Sequence, residues 1–176
     1  ILEYKMQEAD LLPSSESRLD SMEKKENPIE DSSIPFRDLT SPETKRKSIH
    51  QLIDKLDVEN NIRYQKTPED TYCNVYAYDF CHFAKVYLPT VWWTEESLEK
   101  IKQGQEVTAV FEETVDRIYS SAIHDWFSEW GATFGWERME TVEEIQNKVN
   151  ENGGVGIICA KRKIKGLSGH IVPVVP

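Results

Sequence analysis

Thr71-Tyr72-Cys73-Asn74-Val75-Tyr76-Ala77-Tyr78-Asp79-Phe80 opens a segment that stays apolar on almost every side through Cys81, Phe83 and Ala84 to about Lys85. Hydrophobicity all round a helical period marks a helix buried at the centre of a domain. Cys73 stands at its first position, after the irregular loop Asn60-Asn61-Ile62-Arg63-Tyr64 with Pro68. A thiol at a helix N-terminus has its thiolate favoured by unpaired amides and the helix dipole. Its own backbone amide is also placed to donate to an oxyanion. Far downstream, Gly166-Leu167-Ser168-Gly169-His170-Ile171-Val172 reads as a histidine opening a buried strand, with glycines on either side that let the backbone approach closely. Strand alternation is expected to turn one face of this segment toward the helix. An imidazole brought against a thiol takes its proton and later returns it, so Cys73 and His170 form a candidate catalytic dyad.

Working outward, Ser41-Pro42-Glu43-Thr44 carries an N-cap serine and a proline at the first helical position. Ile49, Leu52, Ile53 and Leu56 then follow at helical spacing. A second helix is expected from the capping pattern Thr94-Glu95-Glu96-Ser97, a third from about Thr114 to Trp130 ended by Gly131, and a fourth from Thr141-Val142-Glu143-Glu144 through Val149. Leu88-Pro89 and Trp92-Trp93 read as an aromatic loop. Strands are expected only at the end, over Val155–Ala160 and His170–Val175, joined by a polar hairpin-like turn. Helices followed by a carboxy-terminal sheet define an α+β domain. Residues 1–40 are polar, interrupted by Pro13, Pro28 and Pro35, with no consistent hydrophobic face, and read as an N-terminal tail or linker. The domain is then residues 41–176. The strand-like pattern still running at Pro176 and the absence of an initiating methionine suggest a fragment of a longer chain, truncated at its C-terminus.

The chain of 176 residues has a formal net charge of −10, which disfavours a nucleic-acid partner, since phosphates are met by clustered Lys and Arg. The basic cluster Lys161-Arg162-Lys163 with Lys165 reads as a solvated turn. No apolar run has the length of a membrane span, and no signal peptide is visible. Three cysteines do not make a disulfide framework in a chain of this size. Cys81 and Cys159 read as small core residues. With no CxxC, no HExxH and scattered histidines at 50, 82, 124 and 170, neither a zinc site nor any other cofactor is expected. Around the dyad, Tyr72 offers a hydroxyl, Asn74 a bond to the preceding loop, and Arg63 and Tyr64 reach toward the oxyanion or substrate side. Asp79 projects from another face of the helix and is expected to pair with an arginine or cap neighbouring backbone. Trp126 and Trp130, one turn apart, read as core. Trp92 and Trp93 are left open between a substrate-groove wall and packing.

Thr71-Tyr72-Cys73-Asn74 before an aromatic helix resembles the nucleophile helix of bacterial and phage cell-wall hydrolases, the CHAP and NlpC-type members of the papain-like superfamily. The later run Ile145–Gly154, leading into a strand and then Gly169-His170-Ile171, resembles their second half. The resemblance spans about residues 62–176, with residues 87–135 as a larger helical insertion. It implies a papain-like α+β fold in which the nucleophile helix packs on a small antiparallel C-terminal sheet. The activity it implies is that of a cysteine peptidase or amidase cleaving a peptidoglycan stem peptide or the lactyl–alanine link. Cys73 would form a thioester, with His170 as base and then acid, in a secreted, periplasmic or cell-wall-associated setting. The family's third catalytic position is a polar residue on the strand after the histidine, and no Asp, Glu, Asn or Gln follows His170 here. A papain-like toxin, protease or deamidase acting on protein, and a binding domain of the same fold without turnover, are the alternatives.

Overall fold

In the computed structural model residues 3–161, 163 and 169–176 are described. Among them are five α-helices and two two-stranded antiparallel sheets, an α+β architecture. Helix α1 (Pro42–Leu56) begins at the expected Ser41 cap, which forms a full capping box with Thr44. The buried helix α2 spans Cys73–Phe83. Strand β1 (Val91–Trp93) leads into α3 (Glu95–Lys102), capped by Thr94. Strand β2 (Val115–Arg117) pairs with β1, Trp92 opposite Asp116, and helix α4 follows over Ser120–Trp130. Helix α5 (Val142–Asn152) starts on the Thr141–Glu144 capping box, and the hairpin of β3 (Gly156–Ala160) and β4 (His170–Val174) closes the chain.

Two of these elements depart from the expected pattern. The helix expected over 114–130 is a strand followed by a helix. Val115 and Ile118 fall at helical spacing by coincidence, whereas Val115 is buried and Asp116 exposed in alternation, which suits pairing with β1. The end of the helix is as expected, α4 stopping at Trp130 with Gly131 as C-cap, and a 3-10 turn over Gly131–Phe134 follows until Gly135 adopts φ +88°. Strands therefore appear well before the end of the chain, inside the region expected to be a helical insertion.

The tail over 1–40 is corrected as well. From residue 3 onward this segment is irregular but packed. Ile29 and Ile34 join the main core with Ile49, Leu52, Leu56, Val75, Phe80, Phe83, Ile123 and Ile171. Met6, Ala9 and Leu11 join a second cluster with Val91, Trp93, Ile101 and Val115. Its apolar residues are too sparse and irregular to give a period, yet Met6, Ala9, Leu11, Ile29 and Ile34 are buried against elements far along the chain, while Leu12 stays exposed. Lys25 donates to the Arg63 carbonyl and Thr90 to the Glu26 carbonyl, stitching the segment across the domain.

Helix α2 packs against β4 on one side and α1 on the other, while α5 lies over α1 and the hairpin. Gly153 ends α5 at φ +64°, where a Cβ would stand 2.6 Å from Lys45 Cβ and 2.8 Å from the Pro42 carbonyl oxygen. Gly104 also has positive φ, +82°, but faces open space. Gly153→Ala is therefore expected to cost about 2–4 kcal/mol in urea unfolding, strain plus displacement of α1, and Gly104→Ala only about 1–2 kcal/mol from the backbone. Equal losses at the two sites would show that the α5–α1 junction yields.

Candidate functional site

Cys73 is the first residue of α2 and is partly exposed, in contrast to Cys81, which is fully buried in the core. Burial pushes the Cys81 thiol far up and removes it as a nucleophile. The N-cap position, Tyr72, supplies no side-chain bond, so the first-turn amides of α2 are not capped by a side chain. The Cys73 Sγ lies 3.0 Å from Ser120 Oγ at the first position of α4, and either atom is able to donate. The α4 N-cap, Tyr119, likewise makes no side-chain cap bond.

Asn74 fixes this meeting of two helix starts. Its Nδ2 donates to the Ile118 carbonyl at 3.1 Å, rather than to the loop that precedes it. Ile118 in turn donates its amide to the Thr90 carbonyl at 2.8 Å. Ser120 thus arrives beside the thiol on a segment tied to α2 at one point and to the start of β1 at another. Sequence reading missed this residue because the helix was extended across it. The signal was Ser120-Ser121 inside that run, since serines compete with helix-interior hydrogen bonds and favour helix starts.

His170 opens β4, next to α2 in space, and is exposed. A Cβ on the preceding Gly169 would meet the Ser120 carbonyl oxygen at 3.2 Å and that of Ala160 at 2.5 Å, so the start of β4 lies against the residue that holds the thiol. Gly166, Leu167 and Ser168 lie outside the described residues. Within β4 the side chain turned to the core is Ile171, 2% exposed, and alternation sends His170 to the opposite face. Among the described residues the Cys73 thiol bonds Ser120, with no hydrogen bond to His170.

Cys159 pairs with Ile171 across the hairpin and so shares the face turned toward Ser120. Burial, the nearby Cys73 and Asp125 push its thiol up to about 11. A cavity of about 690 Å³ runs from Cys159 and His124 past Phe127 and Trp136 to Val142 and Ile145. His124, one turn along α4 from Ser120, has a buried Nδ1 that makes no hydrogen bond among the described residues and lies 3.6 Å from Asp125 Oδ1.

Four candidates, Tyr64, Arg63, Trp92 and Trp93, are occupied elsewhere. Tyr64 donates its hydroxyl to Asp79 Oδ2 at 2.7 Å inside the core, which removes it from any oxyanion role. Asp79 is the arginine partner anticipated from its helical face: Arg63 Nε bonds Oδ2 at 2.7 Å and Nη2 bonds Oδ1 at 3.2 Å. Arg63 also donates to Ser17 Oγ and to the Lys25 and Asn27 carbonyls, tying the N-terminal segment to α2. Trp92 and Trp93 lie in β1 rather than in a loop. Trp93 is buried with Nε1 on the Gln7 carbonyl, while Trp92 packs on Trp126, Trp130 and Phe134. Neither indole borders the cavity beside Cys159. Of the basic cluster, Lys161 pairs with Asp125 at 2.9 Å, while Arg162 and Lys165 lie outside the described residues.

Tyr72 is covered by cations. Lys25 Nζ stands 3.1 Å from its ring centroid, and Arg117, salt-bridged to Asp70 and Glu26, lies at 5.7 Å. Burial, with Arg63 and Arg117 close by, pulls the Lys25 amine from 10.5 down to about 8. A cation depressed in the fold adds stability that is fully present above pH 10.5 and is lost as pH falls through 8. Urea stability is therefore expected to rise between pH 8 and 10 more in the native chain than in Lys25→Met. Parallel pH profiles would remove Lys25 as the source.

Comparison with family models, with curated proteins and with solved structures returned no match for this chain. No described helix is long and apolar enough to cross a membrane.

Proposed function

We propose that the protein is a cysteine-dependent amide hydrolase with Cys73 as nucleophile. The observation that carries this reading is a partly exposed thiol at the start of the central buried helix, held by a buried hydroxyl at a helix terminus without a side-chain cap. Anions are favoured at such a terminus, and the Cys73 amide points to where a tetrahedral oxyanion forms. In the reaction His170 takes the thiol proton and Sγ adds to the amide carbonyl carbon. The imidazolium returns the proton to the departing amine, leaving a thioester. Water, deprotonated by the same ring, then releases the acid and regenerates the thiol. The reaction requires the His170 ring to turn over the hairpin end toward the sulfur from its outward position in β4, next to Gly169, whose backbone lies against Ser120.

The likeness of Tyr72-Cys73-Asn74 and Gly169-His170-Ile171 to cell-wall hydrolases favours peptidoglycan as substrate, a stem-peptide amide or the lactyl–alanine link. A second reading, a binding domain of this kind without turnover, is favoured by the outward face that His170 occupies in β4. Muropeptide analysis of purified peptidoglycan treated with the native chain and with Cys73→Ser separates them. New free amines with the native chain alone support the hydrolase. No release from peptidoglycan, but cleavage or deamidation of protein substrates that Cys73→Ser abolishes, moves the substrate to protein. No Cys73-dependent product from either leaves the binding domain.

A further inference from the structure

We infer that Ser120 is a positioning residue for the Cys73 sulfur, a role that rests on Cys73 being the reactive group of the protein. The hydroxyl is not a passing surface neighbour. Ser120 is 6% exposed, and its Oγ lies 3.0 Å from Sγ. Its backbone is held from three sides. Asn74 of α2 bonds the Ile118 carbonyl, Ile118 bonds Thr90, and the Gly169 backbone packs closely on the Ser120 carbonyl, where an added Cβ would stand 3.2 Å from its oxygen.

Among the described residues this buried hydroxyl has the thiol as its hydrogen-bond partner. When sulfur carries the charge it has no proton to give, so the hydroxyl is the donor of this contact, and a hydrogen bond to a charged group is among the stronger kinds. The same bond selects one rotamer of Cys73 and holds the sulfur at the mouth between α2 and α4. Of the titratable groups on the elements packed here, Cys159 on β3 lies near Cys73, His170 opens β4 on its outward face, His124 and Asp125 on α4 face each other, Asp70 before α2 pairs with Arg117, and Lys25 and Arg117 stand over Tyr72. None of these donates to Sγ among the described residues, so the stabilising donor is Ser120.

The test is the rate of iodoacetamide alkylation at Cys73, followed by mass spectrometry of its peptide in the intact chain at fixed neutral pH. Loss of one hydrogen bond to a charged group is expected to slow Cys73 in Ser120→Ala by roughly five- to tenfold. Ser120→Thr, which keeps the hydroxyl, should restore most of the rate, and Cys159 should be little affected. An unchanged Cys73 rate in Ser120→Ala overturns the proposal, as does a loss that Ser120→Thr fails to restore. Should Ser120→Ala unfold, seen as alkylation of buried Cys81, Asn74→Ala gives the second measurement. It unties Ile118, and slowing at Cys73 is expected there too, whereas an unchanged rate overturns the role. Alkylation needs no turnover. A Ser120 effect without Cys73-dependent turnover of either peptidoglycan or protein would defeat the hydrolase reading alone, and Cys73-dependent cleavage without a Ser120 effect would defeat this inference alone.

Discussion

Replacing Asp79 by alanine is expected to destabilise the protein by about 3–5 kcal/mol, the cost of leaving one member of a buried ion pair without its partner. Asp79 and Arg63 side chains are 1% and 0% exposed, so the stranded guanidinium has no water to turn to. The loss extends beyond the pair. Asp79 accepts from Arg63 twice and from Tyr64, and Arg63 reaches Ser17, Lys25 and Asn27, so the variant also loosens the contact between α2 and the N-terminal segment. Urea unfolding followed by tryptophan fluorescence gives the difference. Limited proteolysis adds a spatial readout, with cleavage before residue 30 appearing earlier in the variant. The double replacement Arg63→Met with Asp79→Leu should recover only part of the stability, because an apolar pair carries no desolvation cost but the Tyr64 hydroxyl and the Lys25 carbonyl still lose their buried partners. A loss below about 1 kcal/mol in Asp79→Ala would mean that solvent reaches the pair.

The second large effect is on chemistry. On the proposed reading, Cys73→Ala removes the attacking atom, and turnover of a muropeptide or peptide amide should fall on the order of 10⁴-fold or more, to the background left by binding alone. His170→Ala should fall nearly as far, and the double variant no further, because nucleophile and base act as one unit. Cys81→Ala should leave turnover intact, since its thiol is sealed in the core and lies mid-helix. The measurement is steady-state release of free amine, with mass spectrometric capture of a Cys73-linked acyl group. Retained activity in Cys73→Ala excludes the mechanism. Retained activity in His170→Ala with loss in Cys73→Ala assigns the proton transfer to another group.

Local rules predicted local features well. Ser41-Pro42 and Thr141 with Glu144 announced helix starts because a capping box is formed within one turn, and the structure has both boxes. The all-round apolar pattern placed α2, and the apolar runs at 155 and 170 pointed to two paired strands, whose register, Cys159 opposite Ile171, came only with the structure. The strands β1 and β2 escaped notice because three residues are too few to establish a period, and Trp92-Trp93 reads equally as loop or strand. Residues 3–40 escaped for a related reason. Met6, Ala9, Leu11, Ile29 and Ile34 are buried by elements far along the chain, and no spacing among themselves encodes that.

The amino-acid sequence by itself determined that a cysteine stands at the start of a buried helix and that a histidine stands at the start of a terminal strand. Each follows from side chains a few residues apart: the apolar faces of α2, and the glycine and aliphatic run around His170. Tertiary structure alone decided what meets the thiol. Strand parity is set by the pairing of β4 with β3, so Ile171 rather than His170 took the face toward α2. The position beside Cys73 fell to Ser120, carried there by a strand-to-helix junction tied to Asn74. A side chain's neighbours across the core depend on packing between segments that share no local period, and only the folded chain brings those segments together.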